Sequence, residues 1–181
     1  MSFRLPRRLS RLSIPLLALL ASCSGPDANT FAPACPRAAI LADAADVMRY
    51  RDGGGRDLTD LVLAGHILGV SGKCSPGDSS RQLATSLQVN FELTRGPAMR
   101  EREVDVTIFV AVSESDDILD KKLFPVHAVF PSNIETVRLT TDAIPLELPI
   151  SKDKSGAAYA LTVGFQLTPD ELGQNRSRAA R

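Results

Sequence analysis

The chain predicts an all-β fold: an antiparallel two-sheet sandwich of about seven strands, immunoglobulin-like in architecture, closed by a short C-terminal helical turn. Three observations carry this. Apolar residues recur with period two in several segments, turn-forming residues punctuate the chain roughly every dozen residues, and the segments between them have strand length.

The clearest segment is SLQVNFEL. Leu87, Val89, Phe91 and Leu93 share one face, while Ser86, Gln88, Asn90 and Glu92 take the other. After the turn TRGPAM, EVDVTIFVAV places Val104, Val106, Ile108, Val110 and Val112 on one face, with Asp105 and Thr107 opposite. Succession across a turn predicts that these two segments form an antiparallel hairpin. AYALTVGFQL alternates again, with Tyr159, Leu161, Val163, Phe165 and Leu167 facing inward.

The other segments have mixed signals. RAAILADAADVMRY reads as a strand with a bulge, with a helix as the alternative because alanine is common. DLVLAGHILGVSGKC carries apolar residues on both faces, as a central strand does, and its glycines disfavour a helix interior. LFPVHAVF and IPLELPI contain Pro125, Pro145 and Pro149, which confines them to edges, bulges or strand ends. In TPDELGQNR, Thr168 is placed as N-cap, Pro169 at the first helical position and Glu171 to complete a capping box.

The formal charge of zero averages unlike segments. Residues 1–22 hold Arg4, Arg7, Arg8 and Arg11 and no acid, so from residue 23 onward 17 basic groups face 21 acidic ones. A mildly acidic domain lacks the basic face that nucleic acid requires, and no nucleic-acid partner is expected. The N-terminus divides into a basic stretch, MSFRLPRRLSR, an apolar run of eleven residues, LSIPLLALLAS, and then Cys23. The run is about half the roughly 20 residues of a spanning helix, and Pro15 interrupts it; it reads as an export signal. The pair Arg7-Arg8 is followed by LSRL, which does not complete a twin-arginine motif.

Leu20-Ala21-Ser22-Cys23 resembles the lipobox of bacterial lipoproteins, and the resemblance covers the first 23 residues. It implies that the Cys23 thiol takes a diacylglyceryl group, that residues 1–22 are removed, and that the membrane is a partner through this anchor. With Ser24 after the cysteine, the sorting rule of that family implies the outer membrane. Residues 23–36 then form a lipidated tether, 37–168 the sandwich and 169–181 the helical turn with an Arg-rich tail. The closing VGFQLTPDELGQNR also resembles the end of small uncharacterised proteobacterial lipoproteins, which supply no activity to carry over.

Lipidation of Cys23 leaves Cys35 and Cys74, and export to an oxidising compartment predicts that they form a disulfide. Antiparallel pairing of residues 38–50 with 60–73 would bring the two cysteines together. A metal site built from Cys35, Cys74, His66 and His127 is the competing reading, but no C-x-x-C or H-x-x-x-H spacing supports it, and no cofactor is expected; two free thiols are the remaining alternative.

Catalytic motifs are weak. GVSGKCS around Lys73 misses the phosphate-loop pattern at Ile67 and Cys74, and no G-x-S-x-G elbow is present. DGGGRD at 52–57 reads as a turn, and SESDD at 113–117 as a solvated loop lacking calcium-loop spacing. His66 and His127 stand among apolar neighbours, which predicts satisfied core or strand histidines. Arg176, Arg178 and Arg181 read as a solvated terminus, with anionic lipid or an acidic partner as the functional alternative. The expectation is a non-enzymatic, lipid-anchored envelope protein facing the periplasm that binds another envelope component. The alternatives are a small periplasmic hydrolase and a carrier of an apolar ligand between the sheets.

Overall fold

A computed structural model of the chain describes residues 34–180. It shows an all-β sandwich of nine strands in two sheets, plus one C-terminal helix. The first sheet has the order β1-β9-β5-β6. It is built from β1 (Arg37–Ile40), β5 (Glu103–Glu114), β6 (Asp117–Val129) and β9 (Tyr159–Phe165). The second runs β2-β3-β4-β7, with β8 also on β4. Its strands are β2 (Asp46–Tyr50), β3 (Leu61–Pro76), β4 (Gln82–Arg95), β7 (Thr136–Thr140) and β8 (Ile144–Pro149).

The alternating faces lie where their residues predict. Leu87, Val89, Phe91 and Leu93 of β4 are buried, as are Val106, Ile108, Val110 and Val112 of β5 and Tyr159, Leu161, Val163 and Phe165 of β9. Each fully buried large apolar side chain contributes about 1.5–3 kcal/mol relative to exposure, so these three strands carry much of the driving force. Phe91 and Phe165 join the sheets across the core, edge to face, with ring centroids 6.0 Å apart.

Nine strands replace the expected seven for two reasons. RAAILADAADVMRY is two strands rather than one: β1 pairs in parallel with β9, then a 3-10 turn at Ala42–Ala44 carries the chain to the other sheet, where β2 begins. Ala44 is the pivot, buried against Phe109 and Ala111 on the outer face of the first sheet. The second addition is β7, whose TVRLT is too short and too exposed to announce itself by pattern.

The expected hairpin between SLQVNFEL and EVDVTIFVAV does not form. β4 pairs with β3, β7 and β8, whereas β5 pairs with β6 and β9 in the opposite sheet. The connecting residues 96–102 cross the sandwich and bury Met99 beneath them. Gly96 makes the crossing possible: its N–H bonds Val62 O at 2.8 Å, and a Cβ there would stand 2.0 Å from Leu61 O. β3 is central in its sheet but is buried on one face only. Leu61, Leu63 and Ile67 point inward, while His66 and Leu68 meet solvent.

The helix α1 (Pro169–Ala179) runs for 11 residues, beyond the single turn expected. Its capping box is complete: Thr168 Oγ1 accepts from Glu171 N at 3.3 Å and Glu171 Oε2 accepts from Thr168 N at 2.7 Å. It lies against β2 and the Ala42–Ala44 turn, where Asn175 Nδ2 donates to Asp43 O and Asp46 O at 2.9 and 2.8 Å. That docking lets the helix continue past its first turn, since short isolated helices are marginal in water. Arg176 bonds Asp43 at 2.9 Å and Arg178 reaches the Met48 sulfur on β2 at 2.9 Å, so two of the three tail arginines have partners on the domain. Arg181 lies outside the described residues.

Candidate functional site

The margin where the sandwich opens is set by proline. Pro125 lies on β6, the last strand of the first sheet, and Pro145 and Pro149 lie on β8, which pairs only with β4. A proline cannot donate to a ladder, so these strands end their sheets, as their sequences predict. The two edges face each other across the mouth of the sandwich and leave two clefts.

The first cleft, about 370 Å³, lies between Phe124–His127 of β6 and the link Thr140–Pro145. The second, about 360 Å³, has an apolar floor of Val112, Leu146, Leu148 and Tyr159. Charged side chains rim it. Asp120 and Lys122 stand opposite Val112 and Val110, both core residues, so register turns these two charges toward the mouth. Their side chains approach to 3.6 Å. Lys154 Nζ bonds Glu114 at 2.6 Å and sits 4.5 Å from the Tyr159 ring centroid. The Glu114 hydrogen bond, seconded by Tyr159, holds the Lys154 ammonium above its usual pKa of 10.5. Inward-facing charge and edge proline are devices that blunt an open sheet edge.

The histidines are not core residues. Period two sets His66 on the face opposite Leu63 and Ile67, and its side chain is 52% exposed, with Nδ1 2.7 Å from Asp46 Oδ1. His127 is 55% exposed, 2.8 Å from Asp105 and 3.7 Å from Glu103. Each imidazole is oriented by a carboxylate on an open strand face, and among the described residues neither hydrogen-bonds a serine hydroxyl. A histidine–carboxylate pair without a nucleophile is an incomplete relay. Among the described residues no group of three His, Cys, Asp or Glu is placed to hold a metal.

Cys35 and Cys74 form a disulfide, with Cα atoms 5.9 Å apart. The geometry that unites them differs from the predicted hairpin. Only residues 46–50 pair with β3, while β1, which Cys35 leads into, belongs to the opposite sheet. The bridge therefore joins the two layers of the sandwich. Lys73 and its neighbours lie within β3, opposite Ser86, and form no loop.

DGGGRD forms a turn as expected, with Gly53 at φ +71°. What the sequence did not announce is its centre, Asp60. This buried carboxylate accepts from Arg51 and, at 2.6 Å, from Gly55 N. SESDD is the tight β5–β6 connection, with Ser115 at φ 52°. Cys23 and the segments 1–22 and 23–33 lie outside the described residues. Among the described residues no helix is long and apolar enough to cross a membrane.

No protein-family model, curated protein or solved structure matches the chain.

Proposed function

We propose that the chain is a lipid-anchored cell-envelope protein whose β-sandwich is a non-enzymatic binding or scaffolding module facing the periplasm, with Cys23 as the anchor. The observation that carries this reading is the box Leu20-Ala21-Ser22-Cys23 behind a basic flank and a short apolar run. The disulfide supports it, because such bonds persist in oxidising compartments. The domain supports it as well: Phe91 and Phe165 pack the sheets together at the core, and clefts open on the surface, two of them at the β6–β8 margin. Ser24 favours the outer membrane.

Fractionation of cells producing the wild-type chain and Cys23→Ser tests the reading. The wild type is expected in the membrane fraction with lipid label, and the variant unlabelled, as released protein or precursor. Lipid label retained by Cys23→Ser overturns it.

A second reading, a carrier of an apolar ligand, is favoured by one observation, the apolar floor of the second cleft. Titration with a fluorescent fatty acid tests it: saturable uptake that Leu148→Lys abolishes supports it, and an absence of uptake removes it.

A further inference from the structure

Another cleft, about 520 Å³, is lined by Arg95, Arg102, Asn133, Glu135 and Thr136. Thr85 pairs with Cys74 and Arg95 with Leu63, so this cleft and the disulfide lie toward opposite ends of β4. Ten residues of strand separate them, roughly 30 Å at about 3.3 Å per residue.

Period two explains how the first arginine arrives. Leu87, Val89, Phe91 and Leu93 face the core, and Arg95 continues that row at the last position of β4. It is half-buried, and its Nη2 donates to Met99 O, within the 96–102 crossing, at 2.9 Å. Arg102 ends that crossing. It donates from Nε to Phe130 O at 3.3 Å and from Nη2 to Pro131 O at 2.6 Å. Main-chain carbonyls thus hold both guanidinium groups at one cleft.

Neither charge has a counter-ion. Arg49, Arg51, Arg138 and Arg176 each pair with a carboxylate. Among the described residues Arg95 and Arg102 pair with none, and the buried Nε–H of Arg95 has no acceptor. Glu135 O accepts the Arg95 backbone N–H at 2.7 Å, but the Glu135 side chain is exposed and forms no ion pair with either arginine. A half-buried guanidinium without an anion is costly, and an anion entering the cleft would offset that cost.

The donors indicate which anion. A carboxylate has two oxygens, and one guanidinium fork engages both. Two guanidinium groups on separate segments suit a phosphate group, whose oxygens diverge, and the Asn133 amide is a further donor. The chain enters the domain at Cys35. If Cys23 is the anchor, as proposed above, the cleft lies at the end of β4 farther from the membrane, which favours a soluble ester over a head group of that membrane.

We propose that this cleft binds the phosphate group of a soluble phosphomonoester, with Arg95 and Arg102 engaging different oxygens.

The test uses the full chain carrying Cys23→Ser, so the outcome does not depend on the anchor. Glycerol 3-phosphate is titrated while the arginine Nε–H signals are followed by NMR, with inorganic phosphate and acetate as comparisons. Saturable binding with a Kd on the order of 1 mM is expected, with the Arg95 and Arg102 signals shifting most. Arg102→Gln, at an exposed position, should weaken binding about tenfold, and Glu135→Gln, which removes the nearest carboxylate, should tighten it about threefold. Arg95→Lys keeps the charge but loses the fork and should also weaken it. Circular dichroism checks that each variant is folded. No saturation by either phosphate up to about 20 mM, an affinity for acetate equal to that for phosphate, or wild-type affinity in Arg102→Gln overturns the proposal. Binding to phosphatidylglycerol vesicles that Arg102→Gln abolishes, with neither soluble phosphate bound, overturns the assignment to a soluble ester.

Discussion

Cys35 and Cys74 hold the two sheets together at the point where the described chain begins. Cys35 leads into β1 of one sheet and Cys74 lies on β3 of the other, with Cα atoms 5.9 Å apart. β1 itself is slight: four residues, mostly exposed, paired in parallel with β9 alone. The bridge is thus the main constraint on the entering segment. Replacing both cysteines with serine should lower stability by about 4 kcal/mol on chain-entropy grounds for a sequence separation of 39. Denaturant titration of the two proteins measures this, and hydrogen exchange should show the loss concentrated in β1 and its partners Ala160–Val163.

Asp60 organises the glycine turn through Arg51 and Gly55 N. Asp60→Ala removes both acceptors and leaves the Gly55 N–H without its partner. The expected cost is about 2 kcal/mol, read from the midpoint of chemical denaturation. Arg51→Ala should cost less, because that side chain is 60% exposed and its ion pair is screened.

The helix cap gives a smaller and sharper effect. Thr168→Ala removes the hydroxyl that accepts from Glu171 N, leaving only the bond from the residue-168 N–H to the Glu171 carboxylate, and should destabilise the protein by about 1 kcal/mol. Because α1 packs on β2 through Asn175, exchange protection should fall in the helix and near Asp43–Asp46 while the core strands keep theirs.

Two groups give stability a dependence on pH. Asp57 is held below its usual pKa of 3.8, chiefly by the Thr59 hydroxyl and then by the Thr59 N–H. A carboxylate with a depressed folded pKa stabilises above its unfolded value, and that contribution fades as pH falls below 3.8. Lys154 runs the other way: raised above 10.5 by Glu114, it stabilises below that value and loses the contribution as pH climbs through its folded pKa. Stability measured against pH should therefore separate Asp57→Ala from wild type above pH 3.8 and converge with it in acid. Lys154→Met should differ at neutral pH and converge above 10.5.

The faces of β4, β5 and β9 were legible because period two repeats over enough residues to fix which side chains enter the core, and the capping box was legible because its two side chains satisfy each other locally. Pairing was not. Nothing in Leu87–Leu93 or Val104–Val112 states which sheet either joins, and the choice is made by residues 96–102, where Gly96 fits against Leu61. The exposure of His66 and His127 was readable after all. Alternation places His66 opposite Leu63 and Ile67, and His127 opposite Val126 and Ala128; apolar neighbours along the chain obscured the alternation. The β6–β8 margin was legible in its prolines, whereas the inward turn of Asp120 and Lys122 required register across β5.

The anchor is the central claim, and mass spectrometry of the mature N-terminus tests it most directly. Full-length chain made in a Gram-negative bacterium should begin at Cys23 and carry a diacylglyceryl group on its sulfur, both lost in Cys23→Ser. An unmodified N-terminus at any other residue, or a chain that keeps residues 1–22 and stays in the cytoplasm, would contradict the account.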